Sequence, residues 1–242
     1  PYVFKMNASN TEEWIVVGTG TGTSRLRGLR VGDDDNVYFG GRYDGDLDFT
    51  ANNGFFGVTD IDQEDIYVGS MDSSGSMNWL HGTGGTGTDF LLGLALDNSN
   101  NVYTTGYINN TVNFDPSGTF NLTSSGGNNT YLWKLDNAGG FVDAQLFDAQ
   151  FGYDSYVSAN WDVYIAGYYS GTADFDPSGT TFNLTASGTG RAAYVSKFSG
   201  NCVAPDAPTL TETANDLCPN STTTIDITAG NLNDATDWVW YS

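Results

Sequence analysis

Positive charge is what this chain has least of. Eight Lys and Arg stand against 29 Asp and Glu in 242 residues, a net charge of −21. Nucleic acid and anionic membrane surfaces are bound through a basic face, so neither is an expected partner. Histidine is rarer still: His81 is the only one, and it follows Trp79-Leu80 at the end of a strand-like run. No Ser-His-Asp or Cys-His set can be assembled around it. The two cysteines, Cys202 and Cys218, with one distant histidine, make no zinc site. Sixteen residues apart, they could bridge to each other in an oxidising compartment, or to cysteines elsewhere. Glutamate is confined to Glu12, Glu13, Glu64 and Glu212, and no carboxylate pair stands out for glycoside hydrolysis. A Gly-rich phosphate loop and a cofactor fingerprint are both missing. No apolar run approaches the ~18 residues that a membrane helix needs. The chain opens at Pro1 with no signal peptide in view, which points to a mature, trimmed or partial chain.

What the sequence does have is repetition. Tyr2-Val3-Phe4-Lys5-Met6 returns as Tyr67-Val68-Gly69-Ser70-Met71, as Tyr131-Leu132-Trp133-Lys134-Leu135 and as Tyr194-Val195-Ser196-Lys197-Phe198. The spacings are 65, 64 and 63 residues. Asn36-Val37-Tyr38, Asn101-Val102-Tyr103 and Asp162-Val163-Tyr164 keep the same beat. So do Asp48-Phe49, Asn113-Phe114-Asp115-Pro116-Ser117-Gly118 and Asp174-Phe175-Asp176-Pro177-Ser178-Gly179. Three markers in fixed order mean one supersecondary unit stacked on copies of itself. Within a period the pattern reads strand, tight turn, strand, long loop, strand, tight turn, strand. That is an antiparallel meander, and an all-β propeller of four-stranded blades is the expected fold.

Residues 2–24 carry the last two strands of one blade, 25–88 and 89–153 carry two full blades, and 154–200 carry the first three strands of another. Thirteen strands fall short of the roughly sixteen that the smallest closed ring requires. The expectation is therefore a longer polypeptide, strands supplied by another chain, or an open arc. Residues 201–209, with Pro205 and Pro208, read as a linker. Residues 210–242 read as a partial Ig-like β-sandwich module, with strands at Ser221–Ala229 and at Asp237–Tyr241.

Asp97 and Asn101-Val102-Tyr103-Thr104-Thr105-Gly106-Tyr107 together resemble the SBBP-type β-propeller repeat of bacterial surface and secreted proteins. Asn36–Gly41 and Asp162–Tyr168 look like the same element, and the Phe-Asp-Pro-Ser-Gly loops are similar to variants in Bacteroidota proteins. The resemblance implies extracellular or cell-surface display, often by type IX secretion, with no assigned catalytic residues. The third unit departs from the pattern: it lacks the Trp found at Trp14 and Trp79, and the counterpart of Asp97 falls near Asn160.

The acidic turns carry two readings. Asp33 and Asp35, Asp97, and the loop carboxylates Asp115 and Asp176 are candidate oxygen ligands for Ca²⁺, a cation that takes six to eight oxygens. None fits an EF-hand loop, and Asx residues are also what tight hairpin turns demand. Phe114 and Phe175 are expected to plug the space between blades, with Pro116 and Pro177 presetting the turn. Tyr103, Tyr107, Tyr164, Tyr168 and Tyr169 lie at strand spacing and are expected to pack. The resulting expectation is a non-enzymatic structural or adhesive protein. Its partners would be other proteins, or copies of itself, at open β edges, with glycans as a further ligand class. A filament subunit and a polysaccharide-binding or polysaccharide-degrading propeller are the alternatives.

Overall fold

The structure, a computed structural model, describes residues 1–178, 180–188 and 190–198, and the backbone of Thr209–Glu212 and Ile225–Ala229. Every regular element among these residues is a strand. The first period contributes β1 (Tyr2–Met6) and β2 (Glu12–Gly20). The second contributes β3 (Ser24–Val31), β4 (Val37–Tyr43), β5 (Leu47–Ala51), β6 (Gly54–Val58), β7 (Asp65–Met71) and β8 (Met77–Thr83). The third follows with β9 (Phe90–Leu96), β10 (Val102–Ile108), β11 (Thr111–Asn113), β12 (Asn121–Thr123), β13 (Asn129–Leu135) and β14 (Phe141–Phe147). The fourth has β15 (Phe151–Val157), β16 (Val163–Ser170), β17 (Thr172–Asp174), β18 (Asn183–Thr185) and β19 (Arg191–Phe198). The chain divides into a unit of residues Pro1–Phe198 and a unit of Ser199–Ser242. In the second unit β20 (Thr209–Glu212) and β21 (Ile225–Ala229) form an antiparallel pair. Cys202, Cys218 and the strand read at Asp237–Tyr241 lie outside the described residues.

Two complete meanders, β3-β4-β7-β8 and β9-β10-β13-β14, and the three-stranded β15-β16-β19 repeat one another in order and register. Their middle strands β4, β7, β10 and β13 are buried along their whole length, as strands covered on both faces must be. The first strands lie side by side, with β9 between β3 and β15. Gly93 of β9 makes this close approach possible: a Cβ there would stand 2.7 Å from the Asp154 Cα.

The long stretch between second and third strands is more ordered than the loop its sequence suggests. In each period it carries a hairpin: β5–β6, β11–β12 and β17–β18. The first of these reaches back to the preceding period. β5 pairs with β2, so that β1-β2-β5-β6 is a four-stranded sheet. β2 thus gains a partner on its free side from residues whose composition reads as connection. The same contact recurs in reduced form. Thr83 Oγ1 donates to the Asn113 carbonyl, and the Asp148 amide to the Asp174 carbonyl at 3.1 Å.

Each hairpin inserts one phenylalanine into the core. Phe49, Phe114 and Phe175 pack against the tyrosines near the start of the third strands, at 5.6 Å from Tyr67, 5.1 Å from Tyr131 and 4.9 Å from Tyr194. Tryptophans tie successive sheets. Trp14 and Trp79 donate their indole N–H to the Ser73 and Asn137 carbonyls of the next sheet's last turn. The third period has no such Trp, as Asp143 stands there. The first turn of the fourth period is also rebuilt. Trp161 takes the left-handed position held by Asp35 and Asn100, Ser158 replaces Asp97 as acceptor, and Asp162 pairs with Lys197 at 2.7 Å.

Candidate functional site

Asp34, Asp97, Asp115 and Asp176 accept bonds from their own turns. Asp97 is buried, and its Oδ1 accepts the Ser99 and Asn101 amides while Oδ2 accepts Asn101 Nδ2 and the Tyr103 hydroxyl. In the preceding period that role falls to Asp34, which accepts the Asn36 amide, Asn36 Nδ2 and the Tyr38 hydroxyl. Asp33 and Asp35 do other things. The Asp33 amide donates to Asn100 Oδ1, and Asp35 takes a left-handed φ of 59°. Asp115 accepts the Ser117 amide and hydroxyl, and Asp176 accepts the Ser178 amide and the Thr180 hydroxyl. These bonds hold the Asp176 carboxyl below its ordinary value, the Ser178 and Thr180 hydroxyls foremost. Of the five candidate ligands only Asp33 and Asp97 share a cleft, of about 270 Å³; Asp35 faces another, and Asp115 and Asp176 stand in turns of their own. Among the described residues no three His, Cys, Asp or Glu gather into a metal-holding group.

His81 is built into a joint between sheets. Its ring stacks on Trp79 at 5.3 Å and its Nε2 lies 2.9 Å from the Gly139 carbonyl oxygen. Burial depresses its pKa, and the Gly139 contact opposes that only in part.

The exposed end of the repeat is the larger feature. β1 is bonded to β2 on one side, and among the described residues no strand covers its other edge. Its side chains show what that means. Tyr2 is 62 % exposed, while Tyr67 and Tyr131 at the same position of complete sheets are fully buried. Met6 is 45 % exposed, and its counterpart Met71 is fully buried. Phe4, Trp14, Leu29 and Val31 continue this apolar surface around a cleft of about 380 Å³. Leu29 and Val31 are exposed side chains of β3, a contribution that sequence spacing did not signal. At the far end Val195 of β19 is 73 % exposed, whereas Val68 is fully buried. The sequence matches no protein-family model and no curated protein.

Proposed function

We propose that this protein is a non-enzymatic β-propeller scaffold, secreted or displayed at a cell surface, whose work is structural or adhesive. In this reading the repeated meanders are blades, and β3, β9 and β15 are their innermost strands. The adjacency of those three strands and the tryptophan joints between sheets support that arrangement. The SBBP-like repeat and the acidic surface favour an extracellular place. The C-terminal pair β20–β21 fits an Ig-like module joined to the repeats.

The observation that carries the proposal is the open β1 face. A position that is fully buried in two complete sheets is left 62 % exposed in the first. An unpaired edge of N–H and C=O groups beside an apolar surface is a template for strand addition. The face is a join, completed by a β-hairpin of a neighbouring copy, of a partner protein or of further residues of a longer polypeptide. Light scattering of the chain over a concentration series tests this. Association that Phe4→Lys abolishes, with melting unchanged, supports the join. A monodisperse monomer with one sharp transition at every concentration overturns it. An ester, peptide, phosphate and glycoside hydrolase panel tests the non-enzymatic part. Turnover that one carboxylate substitution abolishes would refute it.

A further inference from the structure

At the rim where the first strands begin, three successive sheets present the same three positions. In the second period these are Arg25, Arg27 and Arg42. In the third they are Phe90, Leu92 and Tyr107, and in the fourth Phe151, Tyr153 and Tyr168. Register fixes the equivalence: Arg25 faces Arg42, Phe90 faces Tyr107 and Phe151 faces Tyr168 across their ladders. Each first strand then has a bulge, and the extra residues are Arg27, Leu92 and Tyr153. Bulges re-aim side chains. All three line one cleft of about 410 Å³, together with Phe90, Tyr107 and Phe151.

The cleft is cationic at one end and aromatic at the other. The Arg42 guanidinium lies 3.7 Å from the Phe90 ring centroid. Phe90 leads to Tyr107 at 4.8 Å, Tyr107 to Phe151 at 4.5 Å and Phe151 to Tyr168 at 4.8 Å. Arg191 closes the row, 4.3 Å from the Tyr168 centroid. Four of the chain's eight cationic side chains therefore sit on this row. Arg42 pairs with Glu64 at 2.9 Å, but Arg25, Arg27 and Arg191 make no salt bridge among the described residues. Arg25 stands directly opposite Arg42, whose own partner is Glu64, so Arg25 and Arg27 are the guanidinium groups here that an external anion can meet.

We propose that this cleft binds an acidic oligosaccharide, with a carboxylate held by Arg27 of the cleft and Arg25 beside it on the same strand, and a pyranose ring stacked on Tyr153. Guanidinium groups match carboxylates in a two-pronged geometry. The C–H faces of a pyranose ring carry partial positive charge and complement the negative faces of aromatic rings. Half-exposed Tyr153 and exposed Arg25 and Arg27 are free to meet such a ligand without disturbing the core. The inference is independent of the scaffold reading, because it rests on a different rim and on different residues from the β1 face.

Calorimetry on the full chain with trigalacturonate, and with neutral maltotriose as the matched control, tests it. Trigalacturonate is expected to bind, with maltotriose at least about tenfold weaker, and binding is expected to weaken with added salt. Arg25→Ala with Arg27→Ala should lower trigalacturonate affinity about tenfold or more, and Tyr153→Ala should lower it for both sugars. Arg30→Ala, on the same strand but lining the other rim's cleft, should leave it unchanged. Melting curves establish that each variant is folded, and Arg27→Gln provides a milder second variant. No binding of trigalacturonate at millimolar concentration overturns the proposal. So does equal affinity for the neutral sugar, or affinity retained in the double arginine variant.

Discussion

Asp65 and Asn129 occupy the same place in successive sheets, yet only one of them is fully bonded. Asn129 Oδ1 accepts the Ser125 amide at 2.8 Å, and its Nδ2 donates to the Phe147 carbonyl at 3.1 Å. Asp65 Oδ2 accepts the Ile61 amide in the same way, but its buried Oδ1 has no partner. A carboxylate cannot donate to Thr83, the counterpart of Phe147. Burial pushes the Asp65 carboxyl up to about 6, and Asp60 and Asp62 add to this while the Ile61 amide opposes it. Nearby Asp89 is raised by burial to about 7, against the amides of Asn109 and Gly85, with Asp65 adding to the rise. A folded value above the unfolded one means that the native state binds more protons, so stability falls as pH rises through this window. For Asp65 the loss spans roughly pH 4 to 6 and amounts to about 3 kcal/mol at most. Asp65→Asn is expected to raise the melting point at pH 8, to leave it little changed below pH 4, and to flatten the profile between. A lower melting point at pH 8 would contradict this reading. The acidic turns give a second expectation at this scale. Because Asp97 and Asp176 spend both carboxylate oxygens, and Asp115 one, on bonds made largely within their own turns, melting midpoints in EDTA and in millimolar Ca²⁺ should agree. A rise of several degrees with Ca²⁺ would assign these carboxylates to a cation that binds only the folded state.

Between elements, the joint that matters is tryptophan on glycine. Gly139 has a φ of +86°, and a Cβ there would stand 2.7 Å from the Trp79 ring. Gly75 meets Trp14 in the same way at 2.8 Å. Gly139→Ala therefore combines backbone strain with a clash and should cost roughly 1–3 kcal/mol. Trp79→Ala removes a buried ring and should cost about 3–5 kcal/mol. Urea unfolding measures both, and a neutral Gly139→Ala would mean that the turn does not depend on this seat. The meander itself was legible in sequence, because Asn-Val-Tyr and the strand-three tyrosines recur at fixed spacing. The hairpins were less so. β11, β12, β17 and β18 are three residues each, too short to show alternation. β5 did carry a signal, since Leu47, Phe49 and Ala51 alternate with Asp48 and Thr50 around buried and exposed faces. The Arg–aromatic cleft was illegible, because it depends on bulges that put Arg27, Leu92 and Tyr153 out of step with plain alternation.

For the whole molecule, the repeat explains both what is complete and what is open. Tyr67 and Tyr131 are enclosed because this chain supplies a first and second strand beside each of them; Tyr2 has the same chemistry and lacks those neighbours. In the proposed scaffold the β1 face is therefore the contact surface, and its unpaired main-chain edge is the five residues Tyr2–Met6. Amide hydrogen exchange on these residues over a concentration series tests the claim most directly. The outward amides of β1 are predicted to exchange rapidly in dilute solution and to become protected as the chain associates. Amides of β7 and β13, whose edges are paired on both sides, should be protected throughout. Protection of β1 in a dilute monomer, or association that leaves β1 exchanging as before, would contradict the proposed join.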